Sequence, residues 1–255
     1  MIHPTAVVHP RARLGAGCVI GPYCVVGEHV ELGDKCILHS HVVIDGHTRL
    51  GRANEIFPFA SIGLKTQDLK WKGGLTRTEI GEENTFREYV TVNSATGDGE
   101  VTRVGSRNHV LAYSHVAHNV TLGDHIIISN VGTLAGHVTV EDYAVIGGLV
   151  AVHQFCRIGK MSMIGGCSKV VQDVPPFMLV DGNPAETRTI NKVGLERRGV
   201  SDEAQGAVRQ AFKLLFREGL TISNAIARVE QECGNLPEIE HLVRFVRSSE
   251  RGISK

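Results

Sequence analysis

Aromatic residues make up only 5% of this 255-residue chain, and Trp71 is its single tryptophan. Conventional cores lean on Phe, Tyr and Trp, so another kind of side chain must fill this one. Neither sign of charge is in excess, because 27 Lys and Arg balance 27 Asp and Glu. Nothing in that balance points to nucleic acid or a membrane surface. No apolar run is long enough to span a bilayer, so no transmembrane segment is expected. The opening MIHPTAVVHPRAR puts His3 and Pro4 where a secretory signal needs an unbroken apolar stretch, which points to a cytoplasmic protein. The six cysteines form no CxxC pair. Cys18, Cys24 and Cys36 lie multiples of six apart and read as small buried thiols in a reducing compartment, not as disulfides or a metal site.

What the chain does have is a period of six. Stepping from Ile2 by six residues meets an aliphatic side chain every time through Val8, Leu14, Ile20 and onward to Ile62. The phase returns at Ile80, Phe86 and Val92, and again from Val104 to Val170; only Asp68, Gly74 and Asp98 break it. A helix would repeat near 3.6 and a strand at 2, so the pattern is neither. Glycine often follows the aliphatic residue, as at Gly15, Gly21, Gly27 and Gly33, and is expected to serve a corner that a Cβ would penalise. Two residues before each aliphatic the side chain is usually small or β-branched, as at Ala12, Cys18 and Val30, so that position is tight and inward. The physical solution is a triangular prism. Each hexad gives a short strand and a corner, three hexads make a coil, and the aliphatics of successive coils stack inside at about 4.8 Å.

Two segments interrupt the repeat, Leu64 to Glu79 and Ser94 to Arg103. Both are expected to loop out of the prism, and long loops on a rigid scaffold usually carry function. The repeat stops at Val170, and VPPF (Val174 to Phe177) makes further strand pairing unlikely. The pattern divides the chain into a β-domain over 1–190 and a helical domain over 191–255. Ser201-Asp-Glu starts one helix, Ile222, Ile226 and Val229 mark a second, and Pro237 starts a third. This small helical domain is expected to cover the C-terminal sheet edge.

The thirteen histidines are distributed unevenly. His3, His9, His39, His41, His47 and His109 look like ordinary surface residues. Within 115–154, however, stand His115, His118, His137 and His153. At 18 residues per coil, His118 lies beside position 136, so His118, His137 and His153 gather near one edge. Such a group could supply a neutral imidazole as general base or could bind zinc, as in β-helical carbonic anhydrases.

The motifs SHVAH, TLAGHV, AVHQFC, GGCS and QDVPP, with QDLK at 67–70, LERRG at 195–199 and SSERGI near the end, run over nearly the whole chain. In this order they resemble the UDP-N-acetylglucosamine acyltransferases of lipid A biosynthesis. The resemblance implies a left-handed parallel β-helix of hexapeptide repeats with a small α-helical C-terminal domain. It implies a homotrimer that moves a 3-hydroxyacyl chain from acyl carrier protein to UDP-N-acetylglucosamine, with no cofactor and no metal. His118 matches the catalytic base and Gly136 the oxyanion donor. Asp68, Lys70, His115, His137, His153 and Gln154 match contacts to the nucleotide sugar, and Asn191 and Arg197 match residues near the uracil and phosphates. Gly166 matches the residue that sets acyl length, with Met163 near the chain end. The family pattern has Asp after the catalytic histidine, where this chain has Asn119; it has His at Asn93 and Glu at Val193. A 3-amino sugar acceptor, a zinc lyase and a purely structural β-helix are the other readings. The related N-acyltransferase with a separate uridine-binding domain fits less well, since hexads begin at Ile2.

Overall fold

A computed structural model describes residues 1–255. Twenty-seven strands, most of them two residues long, build three parallel sheets of nine, eight and ten strands that form the faces of a prism. The coil is a left-handed parallel β-helix. Neighbouring strands are 18 residues apart, as in Val7 opposite Val25 and Val25 opposite Val43. Across the two interruptions the offset becomes 30 (Ser61 opposite Thr91) and then 24 (Thr91 opposite His115). Those insertions are two hexads and one hexad, which is why the aliphatic phase survives both. The six-step residues are almost all buried and form one cluster with the small residues that precede them.

Three expectations need correction. First, the corner glycines are not there for their backbone freedom. Gly15, Gly21, Gly33 and Gly51 do not take positive φ; that conformation falls two residues later, on Tyr23, Lys35, Ala53 and their equivalents. A Cβ on Gly33 would lie 2.6 Å from the Arg52 backbone nitrogen, and one on Gly21 would lie 2.8 Å from the Leu38 carbonyl oxygen. Glycine is required because the next coil passes too close. Second, the loops are shorter than the breaks in pattern. Strands Ser61–Leu64, Arg77–Ile80 and Val101–Val104 extend into them, stacking Thr48, Thr78 and Thr102 in a buried column. The segments outside the strands are 65–76 and 94–100. Third, VPPF does not end the sheet. Val174 bridges to Ile158, and strand Met178–Asp181 pairs in parallel with Met163–Ile164, because the prolines occupy the turn and leave the ladder positions free. An unanticipated strand, Glu186–Ile190, then turns back antiparallel. Most aromatic rings of the prism lie outside its aliphatic core: Tyr23, His41, Phe59, Tyr89 and Tyr113 follow one another along the outside of one corner, with centroids 4.8 to 5.0 Å apart.

Inside the prism the small-residue position becomes a buried asparagine ladder. Asn84 Nδ2 donates to Asn54 Oδ1 at 2.9 Å and to the Gly105 carbonyl at 3.0 Å, and Asn84 Oδ1 accepts from the Asn108 backbone N–H. Asn108 Oδ1 accepts in turn from the Ile126 N–H.

Four helices follow: α1 (Lys192–Arg197), α2 (Asp202–Phe216), α3 (Ile222–Glu232) and α4 (Pro237–Arg247). Ser201 caps α2 through the Ala204 N–H, and Pro237 occupies the first turn of α4, as the sequence suggests. α1 was not anticipated. The second hydrophobic cluster joins Val208, Phe212 and Leu215 to Phe177, Met178 and Ile190. The helices therefore pack on the last strand of the ten-stranded sheet and cover that edge. The chain end returns to the prism, with Ile253 bridging to Asp173.

Asn84→Ala is expected to strip the acceptor from the Asn108 N–H and a donor from the Gly105 carbonyl. Each orphaned buried group costs about 1–3 kcal/mol, read as a lower urea midpoint with unchanged far-ultraviolet circular dichroism before unfolding.

Candidate active site

A groove of about 620 Å³ opens where the 65–76 loop folds back over one corner of the prism. The loop contributes Gln67, Asp68, Leu69 and Lys70; the coils contribute Asn93, His115, His118, Thr133, Gly136 and Gln154. Asp68 holds its own loop, accepting from the Lys70 N–H at 2.9 Å. Its Oδ2 stands 3.7 Å from His118 Nε2. The loop thus presents a carboxylate to the imidazole edge that faces the groove.

His118 sits in the turn after strand His115–Val116, and its ring is held on three sides. Nδ1 lies 2.9 Å from Asn119 Oδ1. The His137 ring meets it edge-on at 5.2 Å, and His137 stacks on Phe155 at 4.6 Å. Gly136, one coil on, lies against the imidazole: a Cβ there would be 2.4 Å from Cε1 and 2.5 Å from Nε2. Only glycine leaves room for the ring at this spot.

The backbone supplies the second chemical element. At several turns on a neighbouring corner the equivalent amide is capped by a side chain of the next coil. Asp34 accepts from the Ala16 N–H, Asp124 from Ser106, and Asp142 from Asp124. Gln154 occupies the capping place above Gly136, and the Gly136 N–H donates to no group of the chain. A free amide beside an imidazole can stabilise an oxyanion.

His115 lies in the groove wall, with Nδ1 2.7 Å from Thr91 Oγ1. Burial and the neighbouring His118 lower its pKa, and the same two causes, in that order, lower that of His137. Both rings are therefore neutral at pH 7 and can act as hydrogen-bonding groups.

Not every expected residue reaches this groove. His153 stands at the same edge but outside the lining, with Nδ1 3.1 Å from the Gln154 carbonyl and 3.4 Å from Arg251. Of the three histidines expected to gather, only His118 and His137 meet. Gly166 and Met163 lie toward a different corner, Met163 in the strand before it and Gly166 in the turn itself. Asn191 has both side-chain ends engaged, accepting from the Gly194 N–H to cap α1 and donating to the Met161 carbonyl at 2.8 Å. Arg197 is exposed on α1. The sequence pattern singles out neither Thr91 nor Thr133 as a site residue. They are the strand partners of His115, and counting 24 back across the one-hexad insertion and 18 forward would have found them.

Residues 173–254 match the family model described as Udp N-acetylglucosamine O-acyltransferase, Domain 2, and residues 11–46 match the bacterial transferase hexapeptide model. The acyl-[acyl-carrier-protein]–UDP-N-acetylglucosamine O-acyltransferase of Gloeothece citriformis is 44% identical over 97% of this chain and 90% of its own length. The chain belongs to the UDP-N-acetylglucosamine acyltransferase family. The protein of the same description from Synechocystis is also 44% identical over 97% of the chain. Among solved structures, the UDP-N-acetylglucosamine acyltransferase of Bacteroides fragilis aligns over 100% of both chains, with TM-score 0.98 and 39% identity. The Acinetobacter baumannii structure aligns over 100% of this chain and 99% of its own, with TM-score 0.96 and 42% identity.

His118→Ala is expected to lower kcat by about 10² to 10⁴, the usual worth of a general base, with an unchanged thermal transition because the residue lies outside the aliphatic column. Near-full turnover would move the base role to His137 or His115.

Proposed function

We propose that the chain is an acyltransferase that moves an (R)-3-hydroxyacyl group from acyl carrier protein to the 3-hydroxyl of UDP-N-acetylglucosamine, the first step of lipid A biosynthesis. The observation that carries this reading is the His118 imidazole with Nε2 toward the groove, packed against a turn amide that nothing else uses. The names of the relatives favour this hydroxyl acceptor over the 3-amino sugar and over a zinc lyase.

In the proposed reaction Nε2 of His118 takes the proton of the sugar 3-hydroxyl. The oxygen attacks the thioester carbonyl, and the Gly136 N–H receives the oxyanion of the tetrahedral intermediate. Collapse breaks the C–S bond and leaves the ester. The phosphopantetheine thiolate takes back the proton from the imidazolium, so no acyl-enzyme is needed. Asp68, Lys70, His115 and Gln154 hold the sugar, and His137 keeps the His118 ring in place. Asn191 acts by seating α1, on which Arg197 is free to meet phosphate oxygens. His153 serves a longer reach of the nucleotide sugar.

One protomer offers an open groove only. The corner that carries Gly166 also carries an exposed apolar ridge of Tyr23, Phe59, Tyr89, Tyr113 and Leu149. Such a ridge on a soluble protein favours association. The assembly proposed is a homotrimer with its sites in the clefts between protomers, a heterologous interface that closes as a ring. Light scattering is expected to give three times the 27.6 kDa chain mass; a monomer at micromolar concentration would remove this part of the proposal. No helix is long and apolar enough to cross a membrane. A reducing, cytoplasmic setting is part of the proposal, in keeping with six free thiols. The division into 1–190 and 191–255 belongs to the same proposal, with the strand hairpin serving both parts.

The acyl chain would lie toward the Gly166 corner. Gly148 and Gly166 stack there on successive coils, leaving an edge without side chains, and a Cβ on Gly166 would meet the Gly148 carbonyl oxygen at 3.3 Å. Incubation with UDP-N-acetylglucosamine and a panel of 3-hydroxyacyl carrier proteins, with products read by mass spectrometry, tests the whole reading; no ester product from any donor would reject it. In the same panel Gly166→Met is expected to shift kcat/KM toward shorter chains, at about 0.8 kcal/mol per methylene lost from the groove. An unchanged length profile would show that the groove ends elsewhere.

A further inference from the structure

The second interruption of the prism ends beside the base, and one of its carboxylates is tied to the imidazole through a single side chain. Asn119 follows His118 in the turn. Its Oδ1 faces His118 Nδ1 at 2.9 Å and accepts from the Thr96 backbone N–H at 3.1 Å. Its Nδ2 donates to Glu100 Oε2 at 2.7 Å. Chemistry settles the orientation of this amide. A backbone N–H demands oxygen on one side, and a carboxylate demands the NH₂ on the other. Oδ1 cannot donate, so the shared proton sits on His118 Nδ1. In the neutral ring, Nε2 then carries the free lone pair, on the side where Asp68 and the groove lie.

Glu100 is held for this contact. The same Oε2 accepts from the Gly97 N–H at 2.7 Å, which folds the 97–100 segment into a turn. The bond from Asn119, the bond from Gly97 and the nearby imidazoles hold the Glu100 carboxyl below the usual carboxylate range. It is therefore anionic at neutral pH. The other charged or titratable groups around His118 are Asp68 and Lys70 on the Nε2 side and His115 and His137 beside the ring. Of the carboxylates, only Glu100 is linked to the Nδ1 side.

We propose that Glu100 is a positioning residue of this enzyme: acting through the Asn119 amide, it fixes the His118 tautomer and supplies, one side chain further out, the negative charge that favours the imidazolium. This rests on His118 being the base. No proton moves to Asn119 or Glu100. The proton passes from the sugar hydroxyl to Nε2 and on to the leaving thiolate, while the Nδ1 proton stays in place. In this chain the carboxylate is displaced from the residue after the histidine to the second loop, and an amide spans the gap.

The experiment compares wild type, Glu100→Gln, Asn119→Asp and the double variant. The substrates are UDP-N-acetylglucosamine and one 3-hydroxyacyl carrier protein, and kcat, KM and the pH profile of kcat/KM are measured. Glu100→Gln keeps an oxygen acceptor and removes only the charge. It is expected to lower kcat by about tenfold or more, with KM for the nucleotide sugar within about twofold, and to move the acidic limb of the profile to lower pH. The double variant places the single negative charge on residue 119 and is expected to regain kcat to within about threefold of wild type. Asn119→Asp alone sets two carboxylates side by side and is expected not to exceed wild type. An unchanged kcat and pH profile for Glu100→Gln overturns the proposal. So does a double variant as slow as Glu100→Gln with an unaltered melting temperature. His118→Ala in the same assay separates the two readings: near-full turnover there removes the base and the relay with it, whereas loss there beside an unaffected Glu100→Gln removes the relay alone.

Discussion

Backbone-to-backbone stacking of one coil on the next governs this molecule. Every 18 residues the chain must return to the same corner, within hydrogen-bonding distance of the coil below. That spacing decides which side chains are tolerated. The residue after each aliphatic abuts the next coil, so glycine recurs there for lack of space. The residue two further on turns the corner with positive φ, and tyrosine, lysine and histidine accept that conformation. Strain of this kind, repeated at nearly every corner, is sustained because the ladder above and below determines the path. Insertions are constrained in the same way. Both loops leave and re-enter in phase, so the aliphatic column stays inward on either side of them.

The same stacking places the chemistry. A histidine and a glycine on successive coils are brought into contact without either lying in a flexible segment. His118 and Gly136 are positioned by ladder hydrogen bonds, and the loop brings Asp68 and Lys70 over them. A rigid scaffold that presents an imidazole and an unpaired amide has little to reorganise during a reaction, which is where electrostatic stabilisation is most effective. Carboxylates at Asp34, Asp124 and Asp142 cap this turn amide on a neighbouring corner, whereas the Gly136 amide at the groove has no such cap.

The departures from the family pattern have different physical consequences. Asn119 keeps an acceptor on His118 and passes the electrostatic role outward. Asn93 is buried in the groove wall, with Nδ2 donating to the Lys65 carbonyl at 2.9 Å and Oδ1 without a protein partner. It thereby ties the first loop to the coil and leaves one acceptor unused. Val193 is exposed on α1.

The sequence by itself determined the prism, its phase, the two loops, the starts of α2 and α4, and the pairing of His118 with the coil that carries Gly136 and His137. All of these follow from a strict period, which converts distance along the chain into position in space. The tertiary structure alone decided what the period does not encode. It located the strand hairpin after Pro176, because prolines in a turn leave the ladder intact. It set His153 apart from His118, because a shared edge does not fix a side chain's direction. It showed that the corner glycines answer to the neighbouring coil, and it joined Glu100 to Asn119. That last contact links a loop to a turn 19 residues away through side-chain hydrogen bonds, and only the folded path of the loop brings them together.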